Sequence, residues 1–199
     1  MSADPSSEEP ARGRQALLDR VVEHLSASGT HDLTLRGIAA AVGTSHRMLI
    51  YHFGSLDGLV ASVVGEVERR QRDAISDLAA DPALSLGGLT RAMWDRVRAE
   101  DLQPFERLFF TLYSRGLATD PGAVAADLVW PWLSEVERLL RARGLDEQLA
   151  RAGTRLGSAI ARGLLLDLLA TGDQQGTDEA MELWIRLVRT LDPSENGSG

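Results

Sequence analysis

The stretch TLRGIAAAVGTSHRMLIYHF, residues 34–53, decides the fold because it encodes two short helices joined by a tight turn. Thr34 can cap the first helix, which we predict over 35–42, and Ser45 can cap the second. Gly43 lies in the turn, where a positive φ is easiest for glycine. The connection is too short for a free linker, so the pattern predicts a helix-turn-helix unit.

Apolar residues in this stretch have the spacing needed to pack both helices against the helix before them; they are Leu35, Ile38, Val42 and Leu49. The second helix of a helix-turn-helix enters the DNA major groove, where its outward side chains reach base edges or phosphates. The outward positions here are Ser45, His46, Arg47 and Tyr51. A three-helix packing unit without a DNA role would share the same apolar positions, together with Ala39 and Gly43.

The charge distribution agrees with a DNA-binding role for this segment. The whole chain has a formal net charge of -8, yet residues 11–53 contain five Arg and only three acids. Exposed charges are screened within roughly 8–10 Å at cellular salt, so a local basic face is enough to bind phosphates. The acidity of the remaining chain argues against binding to nucleic acid without regard to sequence.

Composition and motifs exclude several other classes of protein. The chain has no cysteine, which excludes disulfide frameworks and thiolate zinc sites. No apolar run reaches the ~20 residues needed to cross a bilayer, and the N-terminus does not read as a signal peptide. We find no paired metal ligands at helical spacing and no glycine-rich phosphate loop. The sequence predicts a cytoplasmic protein that is not an enzyme, with no catalytic residue, metal, cofactor or membrane partner.

The whole chain shows helical periodicity and no convincing strand alternation, which predicts an all-α fold. We expect a three-helix head that contains the helix-turn-helix, a connecting helix that begins at Ser55, and a larger helical body. Further helices are predicted near 85–99, 104–117, 121–143, 146–171 and 177–191. The predicted domains are a disordered tail at 1–10, the DNA-binding domain at 11–54, a ligand-binding and dimerisation domain at 55–192, and a second disordered tail at 193–199.

Aromatic residues of the body concentrate in one region, which suggests a ligand pocket. The segment PFERLFFTLYSRGL, residues 104–117, is apolar on two stripes, and a helix that is apolar nearly all round is buried. One stripe can line a cavity for an apolar ligand, although ordinary core packing is the better explanation for any single residue. The residues predicted to line the pocket are Met93, Trp94, Phe109, Phe110, Tyr113 and Trp130.

The last two predicted helices have the composition of a helix–helix interface, with small residues on one helix and an apolar stripe on the other. Packing within one subunit would use the same residues. A symmetric pair of recognition helices requires a dimer, so we favour contact between two subunits. The predicted interface residues are Gly153, Gly157, Ala161, Leu164, Trp184 and Val188.

Residues 14–60 resemble the DNA-binding head of the tetracycline-repressor (TetR) family. The resemblance is carried by Gly29, Thr34, Ile38, Ala39, Gly43, Ser45, Leu49, His52, Phe53 and Leu59. The chain departs from the family at three places. Arg47 stands where a small residue is usual, Ile50 replaces a phosphate-contacting Tyr while Tyr51 lies one position later, and the usual Lys after His-Phe is missing.

The resemblance implies a homodimeric transcriptional regulator, most often a repressor, that binds a double-stranded DNA operator and releases it when a small-molecule effector enters the body. It also implies DNA contacts by Thr34 and His52, although His52 can instead pack beside Phe53. The predicted DNA-binding residues are Thr34, Arg36, Ser45, His46, Arg47, Tyr51 and His52. The alternative is a regulator of the same fold that is controlled by a protein partner or responds to no ligand.

Overall fold

The computed structural model describes residues 5–29, 33–81 and 83–191, and these form helices without any β-strand. The predicted all-α class is confirmed. The chain divides into two compact units, Met1–Val67 and Glu68–Gly199. The predicted tail at 193–199 lies outside the described residues.

The first unit contains α1 (Pro5–Ser28), α2 (Leu35–Ala41), α3 (His46–Phe53) and the first half of α4 (Leu56–Ala79). Residues 5–10, which the sequence placed in a disordered tail, belong to α1 in the structure. Proline suits the start of a helix because its missing N–H would have no partner in the first turn.

The first unit extends to Val67, whereas the sequence placed the end of the DNA-binding domain at 54. The physical reason is that the first half of α4 contributes buried side chains to this unit, including Leu59, Val63 and Val64. Buried positions of α1 recur at the predicted helical spacing; they are Leu17, Leu18, Val21, Val22 and Leu25. Full burial of each such side chain contributes roughly 1.5–3 kcal/mol relative to exposure.

The second unit contains the remainder of α4 and the helices of the body. These are α5 (Leu86–Val97), α6 (Gln103–Thr119), α7 (Pro121–Val124), α8 (Trp130–Ala142), α9 (Glu147–Thr171) and α10 (Gln174–Arg189). A π-helical segment, Ala125–Val129, joins α7 to α8. The predicted helix at 121–143 is thus irregular just before Pro131, which cannot donate the backbone hydrogen bond that a regular helix needs there.

Helix pairs hold the second unit together, with α10 against α5 and α9 against both α8 and α10. One buried cluster of the body consists of Trp94, Leu165, Met181 and Ile185. Arg143, just after α8, donates to the carbonyls of Ala79 and Asp81 at 3.0 and 3.2 Å and also to that of Leu84. It thereby satisfies carbonyl groups at and after the end of α4, which have no partner within the helix.

Over the described residues, no single helix is long and apolar enough to cross a membrane. Taken together, α3 and α4 are long and apolar enough by length and composition alone, but the two helices are bent relative to each other at the break between them.

Candidate nucleic-acid interface and internal cavity

Side-chain caps fix the two helices of the helix-turn-helix. The Thr34 hydroxyl accepts a hydrogen bond from the Gly37 amide at 3.1 Å, and the Ser45 hydroxyl accepts one from the Met48 amide at 3.1 Å. Gly43 has φ +67° in the turn. Each cap satisfies a backbone N–H that the first turn of a helix leaves unpaired, so both caps and the turn are as predicted.

The recognition helix α3 has one buried face and one open face. Leu49 and Phe53 are 0% and 7% exposed and anchor the buried face. Arg47 and Tyr51 lie one turn apart on the opposite side, and Tyr51 is 72% exposed. This pair is therefore presented together to solvent, with the reach needed for bases or phosphates in a groove.

Two apolar side chains flank this pair on the open face of α3. Met48 is 41% exposed and Ile50 is 39% exposed. In the sequence, Ile50 was notable only because it replaces a tyrosine that is usual at that position. Apolar side chains at such positions can contact the C5-methyl group of thymine, so the open face offers both polar and apolar contacts to bases.

The other residues predicted to bind DNA are also accessible, since Thr34, Arg36, Ser45 and His46 are all exposed. The hydroxyls of the two capping residues accept bonds from their helices and keep their own O–H to donate to a phosphate oxygen. His52 is half-buried; its ring lies edge-on to Tyr51 at 4.9 Å and 6.2 Å from that of Phe53. Its ring thus has packing partners, and its DNA contact remains a prediction.

Arg14 of α1 holds the end of the recognition helix, a role that the sequence did not predict. Its Nε donates to the His52 carbonyl at 3.2 Å, its Nη2 donates to the Ser62 hydroxyl at 3.0 Å, and its guanidinium lies 4.9 Å from the centre of the Phe53 ring. One side chain therefore connects α1, α3 and α4 within the first unit. No motif reveals these interactions, because the hydrogen-bond partners lie 38 and 48 residues away.

Replacing Arg14 with Ala is expected to destabilise the first unit by about 1–2 kcal/mol, because the variant lacks two hydrogen bonds and a cation–π interaction. Arg14→Lys should recover only part of this stability, since an ammonium group cannot reproduce the planar fork. Urea unfolding followed by circular dichroism measures the change. The matched control is Arg20→Ala on the exposed side of α1; equal destabilisation in both variants would contradict a specific role for Arg14.

A cavity of about 160 Å³ lies inside the second unit, surrounded by the second half of α4 and by α5, α6, α8, α9 and α10. This volume is close to that of an engineered apolar cavity of ~150 Å³ that holds benzene. Four of the predicted pocket residues line it, namely Met93, Trp94, Phe109 and Phe110. The Trp94 indole is fixed by a hydrogen bond of 2.7 Å to the Asp178 carboxylate.

Two predicted pocket residues, Tyr113 and Trp130, are not among the residues that line the cavity. The Tyr113 ring stacks on Phe109 at 5.8 Å, and Trp130 is 50% exposed, with the Arg155 guanidinium 5.4 Å from its ring. The π-helical segment shifts the helical register just before Trp130. Trp132, two residues later, lines the cavity instead.

The cavity is also lined by polar side chains. They were not predicted from the sequence. Glu68, Gln71, Glu106 and Thr154 line the cavity and are 2–7% exposed. The Gln71 amide donates to the Glu106 carboxyl group at 3.3 Å, and the Trp132 indole donates to Glu68. Within the described part of the chain, Gln71 Oε1 and the Thr154 hydroxyl have no hydrogen-bond partner.

Burial raises the pKa of both cavity acids, Glu106 and Glu68. It raises the pKa of Glu106 to about 8; the negative charge of Glu68 adds to this rise, while the Gln71 hydrogen bond and the charges of Arg162 and Arg96 oppose it. Burial also raises the pKa of Glu68, against the Trp132 hydrogen bond and the charges of Arg162 and Arg72. Glu106 is therefore mainly protonated at neutral pH.

A weak signal for these acids does exist in the sequence. Glu106 lies between Phe105 and Phe109 on a helix that is apolar on two stripes, and Glu68 follows Val64 by one helical turn. An acid within an apolar stripe of a buried helix has few positions that reach solvent. Such acids are candidates for an internal site rather than for a solvated face.

The predicted dimer residues mostly pack within the subunit. A Cβ at Gly153 would lie 3.7 Å from Leu140, and one at Gly157 would lie 3.7 Å from Trp184. Ala161, Leu164 and Trp184 pack on the core cluster around Met181, and Val188 is 8% exposed. The predicted residues lie mostly on the inward faces of α9 and α10, because small residues permit close approach to any neighbouring helix.

The outward faces of α9 and α10 carry a second set of apolar residues, which we call the outer face. On α9 they recur every three or four positions and are exposed; they are Ala152, Leu156, Ala159, Gly163, Leu166 and Ala170. On α10 they are Ala180, Leu183 and Leu187. The four leucines are 51–54% exposed, and the two helices pack against each other. A continuous row of this kind is typical of a helix face that packs on another helix.

Comparison with known proteins gives a match at the first unit. Residues 17–63 match the family model described as bacterial regulatory proteins, tetR family. The match covers the second half of α1, all of α2 and α3, and the start of α4, which are the elements that carry the capped helix-turn-helix. No curated protein matches the chain.

Solved structures similar to this chain cover nearly its whole length. A putative transcriptional regulator from Rhodococcus sp. RHA1 is 21% identical, with 90% of this chain and 94% of that chain covered and a TM-score of 0.66. A TetR-family member from Streptomyces coelicolor A3 is 27% identical, with 87% and 96% covered and a TM-score of 0.56. The multidrug binding protein EbrR, complexed with imidazole, is 26% identical, with 92% and 90% covered and a TM-score of 0.58.

Proposed function

We propose that the chain is a regulator of the TetR family, whose family model its first unit matches, and that it acts as a homodimeric repressor that a small ligand releases from its operator. The observation that carries the proposal is the capped helix α3, which buries Leu49 and Phe53 and presents Arg47 and Tyr51 to solvent. The proposed operator is a pseudo-palindrome in cytoplasmic DNA, with its half-sites about one helical turn apart.

The outer face supports the proposal of a dimer. Four half-exposed leucines and several small residues on α9 and α10 form a surface that a second copy of the chain would cover. An isologous contact through this face gives the two-fold symmetry that a palindromic operator requires. The proposed interface is therefore on the same two helices as the sequence predicted, but through their outer residues.

The cavity supports the proposal of a small-molecule effector. It is closed in by aromatic and apolar side chains and contains a few buried polar groups, the usual composition of a ligand site. EbrR, which has the same fold, was solved with imidazole and with proflavin. We propose an aromatic or otherwise apolar ligand that enters this cavity and shifts the protein toward a form with lower operator affinity.

The DNA-binding proposal is tested by selecting bound sequences from a random pool and measuring affinity for the recovered operator. Replacement of Arg47 or Tyr51 with Ala is expected to weaken operator binding by about 1–3 kcal/mol for each base that the side chain reads. Fluorescence anisotropy with labelled operator gives the affinities, and circular dichroism shows whether the fold is retained.

The matched control is Arg141→Ala, which removes the same charge from an exposed position on α8 of the second unit. It should leave operator affinity within about twofold of wild type, because Arg141 does not belong to the unit that carries the helix-turn-helix. If a variant with both Arg47→Ala and Tyr51→Ala bound the operator as tightly as wild type, the recognition-helix assignment would be wrong.

A further inference from the structure

The wall of the cavity is mostly apolar but contains a polar region, and this region restricts which ligands can bind there. Most of the wall is aromatic or aliphatic, but Glu68, Gln71 and Glu106 lie close together in it, since Gln71 bonds to Glu106 and the charge of Glu68 acts on Glu106. These side chains come from α4 and α6. An apolar ligand would leave Gln71 Oε1 without a hydrogen-bond partner, which is unfavourable in a buried site.

The unpartnered atom of this polar region is an acceptor. Gln71 Oε1 has only lone pairs to offer. The carboxyl groups of Glu68 and Glu106 add further acceptor oxygens. A ligand that satisfies this set must bring several hydrogen-bond donors, and an ammonium group brings three.

The basic groups near the acids do not supply those donors. The Arg162 guanidinium lines the cavity but donates to the Leu128 carbonyl at 3.0 Å and lies 5.4 Å from the centre of the Phe109 ring. Arg72 lies 5.9 Å from the centre of the Trp132 ring, and Arg96 donates to Asp101 at 3.2 Å. None of these three forms a short ion pair with Glu68 or Glu106 in the described structure.

We propose that the cavity binds a compact aromatic amine in its protonated form, with the ammonium group at Glu68, Glu106 and Gln71 and the ring among Phe109, Trp94 and Met93. This inference rests on the proposed effector role of the cavity and specifies the chemical class of the ligand. The free volume of about 160 Å³ suits one ring with a short side chain. Bound at the acids, the ammonium ion favours their ionised form, so binding at pH 7 releases a proton from Glu106.

The experiment uses the full-length protein and three probes of nearly the same shape, namely benzylamine, benzyl alcohol and benzoate. Isothermal titration calorimetry at pH 8 should show benzylamine binding at least about tenfold tighter than benzyl alcohol, because hydrogen bonds to ionised carboxylates are the stronger ones. Titrations at pH 7 in two buffers of different ionisation enthalpy should show proton release with benzylamine and none with benzyl alcohol. Affinity for benzylamine should rise between pH 6 and pH 8, as Glu106 ionises.

Isosteric variants assign the effect to the acids. In a Glu68→Gln, Glu106→Gln double variant, the preference for benzylamine over benzyl alcohol and the proton release should both disappear. The matched control is Glu147→Gln at an exposed position of α9, which should behave as wild type. Equal affinities for benzylamine and benzyl alcohol in the wild-type protein would overturn the inference, as would tighter binding of benzoate, which would assign the site to Arg162.

Operator binding separates this inference from the proposed function. If benzylamine binds with proton release but leaves operator affinity unchanged, the amine site stands and the effector role of the cavity fails. If all three probes bind alike while a different compound releases the operator, the effector role stands and the amine specificity fails.

Discussion

A Leu156→Glu, Leu187→Glu double variant is expected to be a folded monomer that binds the operator at least about 100-fold more weakly than wild type. Both leucines belong to the outer face of α9 and α10 and are about half exposed in the single subunit. In an isologous dimer each substitution occurs twice, so four carboxylates would enter an apolar interface and be desolvated there. A monomer also binds only one half-site, whereas binding to two linked half-sites typically raises affinity by about 10²–10⁴-fold.

Size-exclusion chromatography with light scattering measures the oligomeric state, and operator anisotropy measures the affinity. The control is a Leu78→Glu, Leu117→Glu double variant on α4 and α6, where the leucines are 44% and 50% exposed but lie outside the outer face. Both variants should keep the wild-type helical content. A Leu156→Glu, Leu187→Glu protein that remains a dimer would show that the outer face is not the interface.

Surface substitution is a better test than truncation after Gly172. That truncation would remove α10 entirely and with it Met181 and Ile185, which are 2% and 1% exposed in the core of the second unit. Removal of two such side chains costs several kcal/mol and would unfold the unit. A missing dimer would then say nothing about the interface.

The parts of the fold that local chemistry determines could be predicted from the sequence. Thr34, Gly43 and Ser45 act within three or four residues of themselves, through caps and a turn, and the structure has them as expected. The buried positions of α1 and α3 follow from helical spacing alone. The match of this segment to a family model rests on the same local features.

The parts that depend on contacts between distant segments could not be predicted. Helical periodicity identifies two apolar stripes on α9 but does not say which one faces α8 and α10 and which one faces solvent. The pairing of Gln71 with Glu106 joins residues 35 positions apart, and that of Glu68 with Trp132 joins residues 64 positions apart. The sequence therefore predicted part of the aromatic wall of the cavity, including Trp94 and Phe109, but not its acidic part.

The buried acid also predicts an unusual dependence of stability on pH. Glu106 has its pKa raised from 4.5 to about 8 in the folded protein, so the folded state holds a proton that the unfolded state has already released. Stability therefore falls as the pH rises from 4.5 to 8 and then levels off, with a slope of up to about 1.4 kcal/mol per pH unit. At pH 7 the cost of this one group is on the order of 3 kcal/mol.

Replacing Glu106 with Gln is expected to raise the free energy of unfolding by on the order of 2–3 kcal/mol at pH 7 and to leave it nearly unchanged at pH 4.5. Gln fits the same space and can still accept the hydrogen bond from Gln71, but it has no proton to lose. Urea unfolding at pH 5, 6, 7 and 8 measures the difference. The control is Glu135→Gln, because the Arg138 hydrogen bond lowers the pKa of Glu135 and its removal should slightly destabilise the protein.

A Glu106→Gln variant that is less stable than wild type at pH 8 would contradict this account of the cavity, because it would mean that an ionised Glu106 is well paired in the folded protein. The expected gain in stability also bears on the role of the acid. Glu106 weakens the fold at neutral pH, and glutamine could replace it without changing the packing. The core therefore does not require an ionisable group at this position. The gain should shrink when benzylamine saturates the wild-type cavity, because a ligand that binds only the folded state stabilises it.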